Sequence, residues 1–77
     1  MQNLQKLRTN NGLSQKQLAE LSGINLRVIQ HYEQGSRNLN HARIDTIMRL
    51  AIALDCKIMD LIDNAEFLEL IKKVEFK

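Results

Sequence analysis

The sequence predicts an all-α protein, and three observations lead to that prediction. The chain has no proline and only three glycines, all before residue 36, which is unlike a β-sheet protein with glycine-rich turns. Apolar residues recur at intervals of three and four. Ser14 and Asn25 are helix-capping residues placed directly before two such segments. With 77 residues, 44% of them hydrophobic, the chain has room for one compact domain with one modest core.

The first two predicted helices are short and clearly delimited. The first covers residues 3 to 11 and ends at Gly12. The second begins at Ser14, which can form a reciprocal capping box with Gln17, and it ends at Gly23. The predicted apolar faces consist of Leu4 and Leu7 in the first helix and Leu18 and Leu21 in the second.

The third predicted helix begins after Asn25, which can cap it, and ends at Gly35. Ile24 and Ile29 lie on either side of its start and form a hydrophobic staple. The side predicted to be buried consists of Val28, Ile29 and Tyr32. The opposite side, which has no acidic residue, consists of Leu26, Arg27, Gln30, His31 and Gln34.

Three further helices are predicted after a loop at residues 36 to 40. The fourth helix covers residues 41 to 55 and the fifth covers residues 58 to 62. Asn64 can cap a last helix at residues 65 to 74. The apolar residues that recur at helical spacing in the fourth helix are Ile44, Ile47, Met48, Ala51, Ile52 and Leu54.

The two helices around Gly23 have the pattern of a helix-turn-helix. Ala19 is small enough to let the next helix approach closely, and Gly23 can adopt the positive φ of the turn. Such a unit holds its second helix at the surface, where Arg, Asn, Gln and His side chains can reach base edges in the DNA major groove. Residues 1 to 50 carry seven Lys/Arg against three Asp/Glu, so this half of the chain favours an anionic partner.

The chain also resembles a known family, the lambda-repressor-like (Xre-like) DNA-binding domains of phage and bacterial transcription regulators. The resemblance rests on LRTNNGLSQKQLAELSGI, VIQHYEQGSRNL and TIMRLAIALDCKIMDLI, and it covers about residues 4 to 62. It implies a five-helix lambda-repressor-like helix-turn-helix domain at residues 1 to 63. A short amphipathic C-terminal extension follows at residues 64 to 77.

By position, the resemblance implies two groups of DNA-contacting residues and one structural ion pair. The residues expected to contact bases are Asn25, Leu26, Arg27, Gln30 and His31. The residues expected to contact the DNA backbone are Gln15, Lys16, Arg37, Asn38, Asn40 and Arg43. The expected structural ion pair joins Arg8 to Glu33. Of these, Arg27 can bind guanine O6 and N7 together, Leu26 can meet a thymine methyl, and Gln15 lies where a helix start attracts phosphate.

The C-terminal extension has an apolar stripe that is too apolar for a solvated tail. It can pack on its own domain, on a second copy of the chain, or on a different protein such as a toxin. A homodimer is favoured, because readers of this type usually bind two half-sites about 34 Å apart as twofold dimers. The expected dimer interface consists of Phe67, Leu68, Leu70, Ile71 and Val74. The final KVEFK alternates strictly and can instead pair as a short strand.

These observations predict a small dimeric repressor that binds double-stranded DNA at an inverted-repeat operator. The alternatives are the antitoxin of a toxin-antitoxin operon, which would bind a toxin, and a protein-interaction module. An enzyme is not expected, since no paired carboxylates, activated nucleophile or metal cluster occurs at a usable spacing. No cofactor and no metal are expected, and Cys56 is the only cysteine. The longest uncharged apolar run, residues 50 to 54, is far too short to span a membrane, so we expect a cytoplasmic protein.

Overall fold

The computed structural model describes residues 3–62 and 64–75, and this part of the chain contains helices and no strand. The elements are α1 (Asn3–Asn10), α2 (Gln15–Ser22), α3 (Leu26–Gln34), a 3-10 turn (Leu39–His41), α4 (Ile44–Leu54), α5 (Ile58–Leu61) and α6 (Ala65–Glu75). The all-α prediction is therefore confirmed. No helix within the two described stretches is long and apolar enough to cross a membrane. The parts of our predictions that fall on residues 1, 2, 63, 76 and 77 lie outside the described residues.

Local capping sets the limits of α2 and α3, as the sequence predicted. The Ser14 hydroxyl accepts the N–H of Gln17 at 3.0 Å, and the Gln17 side chain accepts the N–H of Ser14 at 2.8 Å. Gly23 then ends α2 with a φ of 72°. Asn25 caps α3 by accepting the N–H of Arg27 at 2.8 Å. The turn between the two helices is thus fixed by hydrogen bonds within a few residues of sequence.

The core lies among the first five helices. α2 packs against both α3 and α4, and α1 packs against α3 and α5. Burying each large aliphatic side chain there stabilises the fold by about 1.5 to 3 kcal/mol. The buried apolar residues are Leu4, Leu18, Ile29, Tyr32, Leu39, Ile47, Leu50, Ala51, Leu54, Leu61 and Ile62.

The predicted start of the fourth helix was wrong by three residues. The helix begins at Ile44, and the chain before it forms the 3-10 turn in which Leu39 is buried. Asn38 caps that turn by accepting the N–H of Asn40 at 2.9 Å. Because Leu39 inserts into the core, the chain remains in a tight turn here and enters α4 only after the extended residue Arg43.

The predicted apolar face of the second helix was also wrong at Leu21, whose side chain is 63% exposed. The buried face of α2 passes through Leu18 and Ser22 instead. The Ser22 hydroxyl can be buried because it donates to the Leu18 carbonyl at 2.7 Å and accepts the N–H of Ile24 at 3.2 Å. A satisfied polar residue therefore occupies the place where a pattern of apolar residues predicts leucine.

The C-terminal segment is a helix. Asn64 caps α6 by accepting the N–H of Phe67 at 3.1 Å, as predicted. Because α6 continues to Glu75, the strand alternative for KVEFK is wrong at residues 73 to 75. None of the residues of α6 is fully buried, and Leu68 is the one that packs against the core cluster within the described residues. The helix is therefore attached to the domain by a small part of its apolar side.

Candidate nucleic-acid interface

The outward face of α3 carries no exposed acidic group. Arg27 is exposed at the first turn, and Leu26, Gln30 and His31 are half-buried along the same helix. Glu33, the one acidic residue of α3, has a side chain that is only 4% exposed. A helix about 10 to 12 Å across fits the DNA major groove, which is about 12 Å wide. The face therefore has the size and charge that an approach to DNA requires.

The two residues at the start of α3 differ in how much of each side chain is available. Arg27 is exposed and forms no ion pair with any of residues 3–62 or 64–75. Asn25 is exposed too, but its side-chain oxygen is engaged in capping the helix. The amide N–H groups of Asn25 remain free of that cap, and all the donors of the Arg27 guanidinium are available.

Arg8 and Glu33 form a nearly buried, two-pronged ion pair that connects α1 to the end of α3. Arg8 Nε and Nη2 donate to the two carboxylate oxygens of Glu33 at 2.7 and 3.0 Å, and Arg8 Nη1 donates to the Leu13 carbonyl at 2.7 Å. The Arg8 side chain is 11% exposed. The hydrogen bond to Glu33 and the charge of its carboxylate raise the pKa of Arg8 above its usual value, against the opposing effect of burial. This pair fixes the orientation of α3 relative to α1.

Gln15 connects the start of α2 to the same carboxylate. Its side-chain N–H group donates to Glu33 Oε1 at 3.1 Å, a contact that does not use its amide oxygen. Lys16 follows directly and is exposed. The start of α2, with its positive helix end, therefore lies beside one flank of the outward face of α3.

A basic groove of about 500 Å³ lies on the other flank, between α3, the 3-10 turn and the start of α4. The predicted backbone-contacting residues Arg37 and Arg43 line it, and Arg43 Nε lies 3.2 Å from Asp45 Oδ1 with both side chains exposed. Asn38 also lines the groove, whereas Asn40 is half-buried next to it. The structure thus brings Arg37, Asn38 and Arg43 together in one groove beside α3.

The same groove contains Arg49, an exposed residue of α4 that the sequence analysis missed. A Cβ atom at Gly23 would lie 3.2 Å from Arg49 Nη1, so the guanidinium passes close to the turn between α2 and α3. The available signal was that Arg49 follows Asp45 and Thr46 at helical spacing, which places the three on one side of α4. Its proximity to Gly23 depends on how α4 packs and could not be read from the sequence.

The residues predicted to form a dimer interface lie on a separate apolar surface. A groove of about 290 Å³ between α4 and α6 is lined by Phe67, Leu70, Ile71 and Val74 together with residues of α4. Leu68 faces the core instead. We call the exposed apolar residues on these two helices the apolar face, which consists of Ile44, Met48, Ile52, Phe67, Leu70 and Val74. The three α4 residues were predicted to be apolar helix positions, and their side chains are exposed outside the core.

Cys56 is half-buried beyond the end of α4. Burial raises the pKa of its thiol, and the nearby carboxylates of Asp60 and Asp55 raise it further. Within the part of the chain that the structure describes, no group of three or more His, Cys, Asp and Glu residues is placed to hold a metal ion.

The turn at Gly23, the capped starts of α2 and α3 and the acid-free outward face of α3 define a helix-turn-helix DNA-binding domain. The helix-turn-helix family profile matches residues 4–61, and the chain belongs to this family in its Xre-like, lambda-repressor-like form. It is similar to the restriction-modification controller protein C.AhdI from Aeromonas hydrophila, with 40% identity over 78% of this chain and 86% of that chain and a TM-score of 0.69. No curated protein sequence matches the chain. The protein is therefore a DNA-binding transcription regulator.

Proposed function

We propose that the protein is a dimeric repressor that inserts α3 into the major groove of an inverted-repeat operator. The observation that supports this most is the outward face of α3, where Arg27 is exposed and the acidic group of Glu33 is turned inward to Arg8. DNA carries one negative charge per about 1.7 Å of its axis, so a face with an exposed acid would be repelled. Repression follows from occupying the operator and excluding polymerase.

Arg27 is the residue best suited to specify sequence. It lies in the first turn of α3, its backbone N–H is held by Asn25, and its guanidinium is unpaired among the described residues. A guanidinium bonded to guanine O6 and N7 contributes about 1 to 3 kcal/mol of discrimination. Asn25, Leu26, Gln30 and His31 complete the proposed base-reading set.

The two flanks of α3 hold the DNA backbone in this proposal. Gln15 and Lys16 bind phosphate at the start of α2, where Glu33 holds the Gln15 side chain in place. Arg37, Asn38, Asn40, Arg43 and Arg49 face the strand on the opposite flank. These contacts position the protein without reading sequence, because every phosphate is alike.

A second copy of the chain covers the apolar face in this proposal. Ile44 is 69% exposed and lines the groove between α4 and α6, and Ile52 is 80% exposed and follows about two turns later on the same side of α4. Contiguous apolar surface of this kind is typical of an interaction site. A second copy is the occupant that best fits, since twofold dimers are the commonest oligomers and match inverted-repeat operators. Residues 64 to 77 then act as a dimerisation arm on the helix-turn-helix domain.

The regulated genes in our proposal are those of a restriction-modification system, because the similar protein C.AhdI is the controller of one. At 40% identity over most of both chains, a shared kind of target is a reasonable inference. Nothing in the comparisons favours the toxin-antitoxin alternative.

Two arginine variants test the assignment of base and backbone contacts. The operator is first selected from a random pool of duplexes, and affinity for it and for random DNA is then measured by fluorescence anisotropy. Arg27→Ala should lose about 5- to 150-fold on the operator, which corresponds to 1 to 3 kcal/mol, and almost nothing on random DNA. Arg43→Ala is the matched control and should lose similar factors on both. Equal losses for Arg27→Ala on the two kinds of DNA would refute its role as a base reader.

The dimer is tested separately with two charged substitutions at exposed apolar positions. Ile52→Glu places a charge on the apolar face, whereas Leu21→Glu places one at a similarly exposed residue outside it. Ile52→Glu should halve the mass measured by sedimentation equilibrium, and Leu21→Glu should leave it unchanged. A dimer that survives Ile52→Glu, or a wild-type protein that is monomeric, would contradict the proposed arm.

A further inference from the structure

We propose that Ser36 holds His31 in the tautomer that carries its proton on Nδ1, so that Nε2 accepts a hydrogen bond from the exocyclic amino group of an operator base. This inference rests on the proposed function, since it assigns a chemical preference to one of the residues placed at the bases. It makes His31 a reader of adenine N6 or cytosine N4.

We infer the tautomer from the direction of the hydrogen bond that joins the Ser36 hydroxyl to the His31 carbonyl. The Ser36 hydroxyl oxygen lies 3.2 Å from the His31 carbonyl oxygen and 2.9 Å from His31 Nδ1. A carbonyl oxygen can only accept, and a hydroxyl has a single hydrogen, so a Ser36 hydroxyl that donates to the His31 carbonyl can contact Nδ1 only as an acceptor. A neutral imidazole has one N–H group. With that group on Nδ1, the other ring nitrogen is an acceptor.

The turn after α3 keeps Ser36 in position. Gly35 has a φ of 85°, which brings the next residues back over the last turn of the helix. The N–H of Arg37 donates to the same His31 carbonyl at 3.2 Å. The imidazole is therefore held on one side by the backbone turn, while its Nε2 makes no hydrogen bond with any residue that the structure describes.

The acceptor at Nε2 restricts which base atoms it can pair with. In the major groove, adenine N6 and cytosine N4 are donors, whereas guanine O6 and N7 and thymine O4 are acceptors. Nε2 pairs with the first group and is repelled by the second. Arg27, which carries donors only, lies four residues earlier and about 6 Å away along the helix. In this inference Arg27 contacts acceptor atoms of a base and His31 Nε2 contacts a donor, at base pairs about two steps apart.

The tautomer is tested on the free protein by nitrogen-15 NMR of the histidine ring at pH 8, above the range in which an imidazole ordinarily titrates. The expected result is a His31 ring protonated on Nδ1, and Ser36→Ala should lose this preference while the ring of His41 is unchanged. A His31 ring protonated on Nε2 in the wild-type protein would overturn the inference, since the hydroxyl would then be donating to Nδ1.

The reading role is tested with modified operators. Selection from random duplexes with wild type and with His31→Ala identifies the base pair at which the variant loses its preference. Deleting the exocyclic amino group at that base pair should weaken wild-type binding about 3- to 10-fold, the equivalent of one hydrogen bond, and should not affect His31→Ala. Replacing the purine N7 there with carbon should leave wild-type binding unchanged. The reverse pattern would overturn the inference.

The two tests separate this inference from the function on which it rests. If no duplex is preferred from the random pool while the ring is protonated on Nδ1, the proposed function fails and the reading role fails with it, but the tautomer assignment holds. If an operator is selected and Arg27→Ala behaves as expected while N7 deletion weakens binding at the His31 position, the proposed function holds and the inference fails.

Discussion

Replacing Arg8 with methionine tests whether the ion pair with Glu33 holds the recognition helix in place. The substitution keeps most of the aliphatic length and removes three hydrogen bonds, two to Glu33 at 2.7 and 3.0 Å and one to the Leu13 carbonyl at 2.7 Å. The Glu33 side chain, 4% exposed, is then left with Gln15, at 3.1 Å, as its only hydrogen-bonding side chain among residues 3–62 and 64–75. Its charge would be almost buried and nearly uncompensated.

The expected loss is a large part of the total stability. Removing one partner of a buried pair costs about 3 to 5 kcal/mol. A chain of 77 residues has a free energy of unfolding of about 4 to 12 kcal/mol. The melting temperature should fall by about 15 to 30 °C. Arg8 is positively charged throughout the neutral range used for the assay, as any arginine is, and the hydrogen bond to Glu33 raises the pKa of its guanidinium further.

Urea unfolding followed by circular dichroism at pH 7 measures the loss, with the double variant Arg8→Met, Glu33→Leu as the matched control. The double variant removes the stranded charge and should be more stable than Arg8→Met alone. If Arg8→Met does not fold, Glu33→Gln keeps the shape of the side chain and provides the second single variant. A loss below about 1 kcal/mol for Arg8→Met would refute the reasoning, because the pair would then behave as a solvated surface contact.

Three further predictions concern the turn, the groove and the thiol. Gly23→Ala and Gly12→Ala should each lower the free energy of unfolding by about 1 to 2 kcal/mol, because both glycines have positive φ. The two losses should agree, since the Arg49 guanidinium near Gly23 can move aside. A much larger loss at Gly23 would show that Arg49 is rigid. Arg49→Gln should weaken binding to every duplex alike and reduce the slope of log affinity against log salt by about 0.9. The control Lys72→Gln in α6 should leave the slope unchanged. Equal slopes for the two variants would contradict a phosphate contact at Arg49. Cys56 should react with iodoacetamide at pH 8 more slowly in the folded protein than in the urea-unfolded chain, since its raised pKa lowers the thiolate fraction, and equal rates would contradict this. The raised pKa also makes stability depend on pH. Cys56 destabilises the fold only as the pH rises above the ordinary thiol pKa of about 8.5, because the thiol of the unfolded chain then loses its proton before the thiol of the folded protein does.

The sequence was sufficient wherever short-range hydrogen bonds decide the structure. Ser14, Asn25 and Asn64 each cap a helix within three residues, and the turn at Gly23 needs only a glycine with positive φ. The exposed side of α3 also follows from helical periodicity, because its buried positions recur at regular spacing. These local features carry most of the candidate DNA-reading face.

The sequence was insufficient where packing between distant segments decides the structure. Leu39 moves the start of α4 because it inserts into a core formed by other helices, and Ser22 replaces Leu21 on the buried face because its hydroxyl is satisfied. Ile52 follows the helical pattern yet is exposed, since periodicity cannot tell a core from an interaction surface. The approach of Arg49 to Gly23 is likewise a tertiary contact between α4 and the turn.

NMR titration of the isotope-labelled protein with a selected operator duplex tests most directly whether α3 enters DNA. The largest chemical shift changes should occur at the start of α3, including the Arg27 side chain and the His31 ring, with smaller changes at Gln15 and along the basic groove. Residues of α6 should be unaffected by DNA, because our proposal has a second copy of the chain, and not DNA, covering the apolar face. Unchanged α3 resonances in the presence of saturating operator, with shifts confined to α4 and α6, would contradict the placement of the recognition helix.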